Sequence, residues 1–355
     1  MRNVLATAIL VLLASSTHEA RACATAPHRD DRVGIHGEEA LIVWEGATHT
    51  EHFVRRGQFE AVGKDGQPVK DFGFLVPTPT KPTLAETSDQ IFAELASGTR
   101  PKVVEVVDKE LELGTACLST LGRQAADKSA VAPTAVRVLD SQRVAGLDAV
   151  VLAADDAQAL ATWLTEHGYP MRPALAAWLT PYVQKKWIVT AFKIAGGVTD
   201  VATKALRMTF TTDRPFYPYR EPEDARTDGK GPRSLDVWVL SSDGPVQALL
   251  EGDAPFAGVE KWAHPLKSPN ATLPSLFSTP ASASGAWLQH FRDESTPRPG
   301  TVDLFFPKRA VPREIEPAPV LVHRRDPIFV PVDVIVIAFV GVVLVVRLVG
   351  RKNPA

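Results

Sequence analysis

Near the C-terminus, Val334 to Val346 (VIVIAFVGVVLVV) is apolar without a break. A run of this kind narrows the choices to a membrane-spanning helix, a buried strand or a core helix. Counting on to Val349, with Arg347 inside, gives 16 positions, about 24 Å of helix. That is short of a hydrocarbon core of roughly 30 Å. Ile328, Phe329, Val330 and Val332 extend the stretch outward, and Arg347 lies close enough to its end to reach the headgroups. Asp333 is placed to cap a helix just after Pro331, and Arg347, Arg351 and Lys352 follow the apolar stretch. Positive charge marks the cytoplasmic side. The expectation is one transmembrane helix over 328–349, with 350–355 as a cytoplasmic stub.

The other end fits the same topology. Arg2, an apolar run from Val4 to Ala14 and the small-residue site Ala20-Arg21-Ala22 have the three parts of a secretory signal, with cleavage expected after Ala22. Cleavage there leaves Cys23 first, but a lipobox carries a Leu-like residue where this chain has Ala20, which argues against a lipoprotein. The expected arrangement is a body outside the cytoplasm, a single C-terminal span and a C-terminus inside. The 39 basic and 41 acidic residues of the whole chain then divide unevenly. Setting both ends aside leaves 34 bases against 39 acids, a mildly acidic body. A nucleic-acid partner needs a basic surface and is excluded by charge.

Only two cysteines occur, too few for a disulfide scaffold. Outside the cytoplasm Cys23 and Cys117 are expected to pair. Closing a loop of roughly a hundred residues stabilises by about 4–5 kcal/mol in the chain-entropy picture. The alternatives are a lipidated Cys23 with a free Cys117, or a reactive Cys117. The last lacks a neighbouring base or cation, because Leu118, Ser119 and Thr120 supply none.

Along the body, strands are expected at Ala40 to Glu45, Thr48 to Val54, Phe72 to Val76, Lys102 to Asp108, Ala135 to Arg143, Leu147 to Ala153, Trp187 to Ile194, Ala205 to Thr211, Leu235 to Ser241 and Val302 to Phe306. Gly46-Ala47 suits a two-residue hairpin loop. A short helix is expected over Asp89 to Ser97 and a helical pair over about 155–185, interrupted by Gly168-Tyr169-Pro170. The pair carries a short repeat, Ala159 to Thr165 against Ala174 to Thr180, whose Leu160, Trp163 and Leu164 and Leu175, Trp178 and Leu179 share a helical face. Such stripes are core far more often than ligand boxes. The fold class is therefore α+β, mainly antiparallel strands and hairpins with one helical pair. The polar, Ala-rich stretch from Ser119 to Pro133 marks an internal boundary, dividing the body into 23–132 and 133–307. The Pro- and Arg-bearing 308–327 reads as a stalk.

The phrases THTEHFVRRGQF, DFGFLVPTPTKPTLAE, QRVAGLDAVVLAADDAQALATWLTEHGY, AAWLTPYVQKKWIVTAFKI and LRMTFTTDRPFYPYREP span most of the body. In that order they resemble a family of bacterial exported proteins classed as domain of unknown function 2330. The resemblance implies an exported, often membrane-anchored domain, and it carries over no catalytic residue.

No G-x-S-x-G, Walker loop, G-x-G-x-x-G or C-x-x-C is present, so no catalytic residue or cofactor is expected. The weak metal candidates are His49 and His52. A two-residue hairpin loop would set His49 opposite Trp44 on one face and His52 opposite Leu41 on the other, too far apart to hold one ion. The acidic loop Glu221 to Gly231 lacks the register of a calcium loop. Tyr217, Tyr219 and Arg220 form the candidate binding surface. The functional expectation is a non-enzymatic binding module, held to the membrane by its tail and facing an envelope or extracellular protein or ligand. The alternative is a hydrolase or metal-dependent enzyme of unrecognised type.

Overall fold

The computed structural model describes residues 24–27, 31–63, 67, 69–114, 143–198, 200–228, 234–266 and 272–350. The chain forms two compact units, the first from Met1–Arg100 with Val138–Glu316 and the second from Pro101–Arg137 with Pro317–Ala355.

The first unit is organised around Arg32–Glu45, a strand of 14 residues. It pairs antiparallel with Thr50–Val62 on one side and parallel with Ser234–Ser241 on the other. These three are the centre of an eight-stranded sheet in the order 259–265, 287–293, 234–241, 32–45, 50–62, 206–211, 83–86, with 200–202 also paired to 50–62. A strand covered on one face alternates in polarity, whereas one covered on both reads as continuously apolar. Ala40-Leu41-Ile42-Val43 is of the second kind: Ala40 and Ile42 belong to one core cluster, Leu41 and Val43 to another.

The first of those cores lies between the large sheet and an antiparallel five-stranded sheet in the order 24–26, 69–78, 188–198, 147–152, 143–144. Aromatic rings fill the gap. Phe59 stacks on Phe74 at 5.6 Å and Phe74 on Phe192 at 4.9 Å. Beyond the large sheet, helix α1 (Gln90–Thr99) buries Ile91, Phe92 and Leu95 against Leu41, Val43, Val54 and Trp238. Beyond the smaller sheet lie α2 (Ala157–Glu166) and α3 (Pro173–Gln184), the expected helical pair. Asp156 caps α2 by accepting from the Ala159 amide at 2.7 Å. Leu160, Leu164, Leu175, Trp178 and Leu179 all bury against Leu75, Val189 and Ala191, so most of the repeated stripe is core. Trp163 is the exception: half-buried, it stacks on His167 at 3.8 Å. The result is a strand-rich α+β body of four layers.

The expected hairpin changes. Gly46–Thr48 is a 3-10 turn and His49 follows it at φ 52, so the hairpin loop is longer than two residues. The register moves with it: Trp44 faces Glu51, and Val43 faces His52. Strands from either side of the expected boundary, 32–62 and 206–241, are neighbours in one sheet. Finally, the first half of the expected stalk lies on the body, where Lys308 bridges to Val246 and Ile315 to Ala263, and Arg309 ion-pairs with Glu260 at 2.5 Å.

The second unit pairs Val103–Gly114 in parallel with Val320–Pro331, from Val103 opposite Val320 to Gly114 opposite Pro331. The latter strand runs directly into helix α5 (Val332–Gly350). Among the described residues, no helix is long and apolar enough to cross a membrane. Ser119 to Pro133, most of the expected strand at 135–143, both cysteines and the expected signal at 1–22 lie outside the described residues.

At Gly73, a Cβ would sit 2.5 Å from the buried Tyr169 ring and 3.2 Å from the Phe192 carbonyl oxygen. The backbone of the 69–78 strand thus touches the chain leaving α2. Gly73→Ala is expected to lower unfolding stability by about 1–3 kcal/mol, as overpacking does. Gly98→Ala, with nothing within 4 Å, should not, and denaturant titration of the two variants checks the contrast.

Candidate functional site

The end of the 32–45 strand gathers hydroxyl, imidazole and carboxylate groups. Glu45 and His52 are buried across the hairpin, and the His52 Nε2 lies 3.0 Å from Glu45 Oε1. The His52 Nδ1 lies 2.9 Å from the Oγ1 of Thr209, its partner on the neighbouring strand. The loop after residue 272 closes over them: the Ser278 amide donates to Glu45 Oε1, and the Ser282 hydroxyl donates to Oε2 at 3.3 Å. Burial pushes the Glu45 carboxyl up, but hydrogen bonds from Ser278 and His52 outweigh it and hold the group below its ordinary range. Burial pushes His52 down, toward the neutral imidazole.

The Ser278 hydroxyl is 3.4 Å from His52 Nε2, so a serine, a histidine and an acid lie within reach of one another. Their wiring differs from that of a hydrolase. Catalysis needs the acid on one ring nitrogen and the nucleophile on the other, whereas Glu45 and Ser278 share Nε2. With the Nε2 proton donated to Glu45, no lone pair remains there to take a proton from Ser278. The hydroxyl on the opposite nitrogen belongs to Thr209, which sits in mid-strand, paired on both sides to 50–62 and 83–86. Thr209 lines neither of the clefts described below. The arrangement fastens a loop to a hairpin.

The residues expected as sites separate. His49 stands in the turn with its ring edge-on to Trp44 at 5.9 Å, while both ring nitrogens of His52 are engaged by Thr209 and Glu45. Among the described residues, no three histidine, cysteine or acidic side chains converge as metal ligands do. Tyr217 and Tyr219 are each 1% exposed and form no surface. Tyr217 packs edge-on against Phe53, and Tyr219 donates to Asp293 Oδ2 at 2.8 Å. Asp293 also pairs with the buried Arg298 at 3.2 Å, and Arg298 with Glu221 at 3.3 Å. Burial opposes the charge on Arg298, and its carboxylate neighbours outweigh that and raise it. Arg220, half-buried, reaches Glu251 at 3.4 Å, and its carbonyl accepts from the Trp178 indole at 2.9 Å. This aromatic and charged segment is therefore internal, because its polar tips find partners inside the body.

Among the described residues, two clefts on the first unit stand out. One of about 160 Å³ lies along Arg56, Gln58, Thr203 and Lys204. The larger, about 230 Å³, is lined by Glu94 and Leu95 of α1, by Trp262 and His264 of the 259–265 strand, by Leu288 and by Glu316. Sequence reasoning missed it. Trp262 and His264 stand two apart on a strand and so share a face, but nothing in the sequence brings Glu94 and Glu316 to them.

The family described as an uncharacterized protein conserved in bacteria, domain of unknown function 2330, matches residues 18–266. The chain belongs to this family. No curated protein matches it. Among solved structures, the chain is similar to baculovirus P35, with 8% identity and a TM-score of 0.40 over 81% of this chain and 100% of that one. It is also similar to a chain of the caspase-8/P35 complex, with 7% identity and a TM-score of 0.35 over 77% of this chain and 97% of that one.

Glu51 yields a pH prediction. Its side chain is fully buried, Oε2 accepts from the Phe216 amide at 2.9 Å, and Oε1 has no hydrogen-bond partner among the described residues. Burial pushes its carboxyl well above the usual range. The folded state then binds a proton that the unfolded chain releases near pH 4.3, so this group's contribution falls as pH rises from there toward the folded value, by up to about 1.4 kcal/mol per unit. Glu51→Gln is expected to unfold at higher denaturant than the wild type at pH 8, with the difference vanishing near pH 4. Paired titrations across that range check it.

Proposed function

We propose that this chain is an exported bacterial protein, anchored by its C-terminal helix, whose body binds a ligand outside the cytoplasm and does not turn one over. The observation that carries the reading is α5. Its 19 residues rise about 28 Å, and side chains from Ile335 to Leu348, including Phe339 at 70%, stand exposed. Exposed Val, Ile, Leu and Phe in such density need a non-aqueous neighbour, and Pro331 just before α5 and Arg347 in its last turn suit the two ends of an anchor built on this helix. The residues of the N-terminal signal supply the export half of the reading.

Binding is favoured over catalysis by the wiring at His52, where Glu45 already holds the nitrogen that a Ser278 nucleophile would need. The larger cleft, apolar with acidic edges, is of the kind that holds a ligand by shape and a few polar groups.

Expression of the full chain in a bacterium tests the topology. The mature protein is expected to lack residues 1–22 by mass, to remain with membranes through alkaline carbonate washing, and to be digested by protease added outside the cytoplasm. Deleting 332–355 should release the body. A carbonate-soluble full-length chain would contradict the anchor.

A further inference from the structure

We propose that the outer edge of the 103–114 strand is a dimer interface, paired antiparallel with the same strand of a second copy of this chain. The proposal goes beyond the binding-module reading and does not rest on it.

The second unit carries a two-stranded parallel sheet, 103–114 with 320–331, and no third strand joins it among the described residues. Parallel sheets are ordinarily covered by their neighbours, and two strands alone are marginal in water. Here apolar side chains stand open to solvent: Val103 is 64% exposed, Val107 51% and Leu321 54%. The two outer edges differ. The Val320 amide donates to the Lys102 carbonyl at 2.9 Å, so along 320–331 the even-numbered residues turn their backbone groups inward and the odd-numbered ones outward. Pro327 is among the outward residues and has no N–H to offer, which blunts that edge. The same bond leaves the odd-numbered residues of 103–114 facing outward, and no proline interrupts them.

This open edge is complementary to itself. A two-fold axis at Val107 sets Val107 opposite its own copy, Glu105 opposite Lys109 and Val103 opposite Leu111, all at outward-facing positions and on one face. The axis repeats every pair, so two Glu–Lys pairs form with apolar pairs between and outside them. On the other face Val104 falls opposite Glu110 and Val106 opposite Asp108, and like charges never meet. Moving the axis to 105, 108 or 109 sets Glu105, Asp108 or Lys109 against its own copy, and moving it to Val106 sets valines against both Glu105 and Lys109. Pairing one patch with itself about a two-fold is the commonest way a chain forms an oligomer. Twelve residues a side is fewer than the roughly 20–30 of a standard interface, so the dimer dissociates on dilution. Because 320–331 runs parallel to 103–114 and into α5, the two helices leave the joined ribbon from opposite ends. Both enter one membrane with the ribbon lying along its surface.

Sedimentation equilibrium of the full chain in detergent, with hydrogen exchange at low and high protein concentration, tests this. The expected result is a monomer–dimer equilibrium in which the Glu105 and Val107 amides are protected only at the higher concentration. Glu105→Lys, which sets like charges opposite each other, is expected to raise the dimer Kd about tenfold. Adding Lys109→Glu restores opposite charges and is expected to bring the Kd back, which a general loss of fold would not allow. A chain monomeric to roughly 100 µM, a dimer indifferent to Glu105→Lys, or a double variant as weak as the single one would overturn the proposal. So would a dimer that leaves the Val107 amide unprotected, since that is association through α5 or another surface.

Discussion

The burial of the 32–45 strand on both faces is the constraint from which the rest of the body follows. One face of a sheet can be covered by a second sheet or by helices; here each face takes a different partner. Ala40 and Ile42 meet the second sheet through the aromatic layer of Phe59, Phe74 and Phe192. Leu41 and Val43 meet α1 and the 272–277 segment. The helical pair then has only the far side of the smaller sheet to cover, which is where its leucines lie.

Several polar groups caught between these layers find their partners locally. Glu45 and His52 close the hairpin end, Tyr182 donates to the buried Asp303 at 2.8 Å, and Tyr219 with Arg298 and Asp293 forms a buried ionic group. Removing one member of such a group leaves an unpaired charge inside, which costs far more than the group contributes when intact. What resembles a catalytic gathering at Ser278 is of the same kind, a polar clasp in a wall that would otherwise expose backbone.

The sequence made strands, the helical pair and its buried stripe legible because periodicity records which face is covered. The hairpin loop was misread because Gly46-Ala47 satisfies a two-residue turn, while His49 adopts a left-handed conformation that side chains seldom take. Two positions of added loop moved His52 from Leu41 to Val43. Tyr217 and Tyr219 were misplaced for another reason: an aromatic, charged composition describes a binding surface and a satisfied interior equally well, and only tertiary partners separate them. The cleft was illegible, since Glu94, His264 and Glu316 come from three distant segments whose meeting depends on the whole fold.

The parallel pairing of 32–45 with 234–241 has a consequence for the order of assembly. Its partners are separated by almost two hundred residues of chain, and contacts so remote in sequence close late and slowly. As the chain emerges from the ribosome, the 32–45 strand has only its hairpin partner until residue 241 follows. Its other edge stays open throughout that interval, a template for unwanted pairing. Such a chain depends on being kept apart from its neighbours until its central strand acquires its second partner.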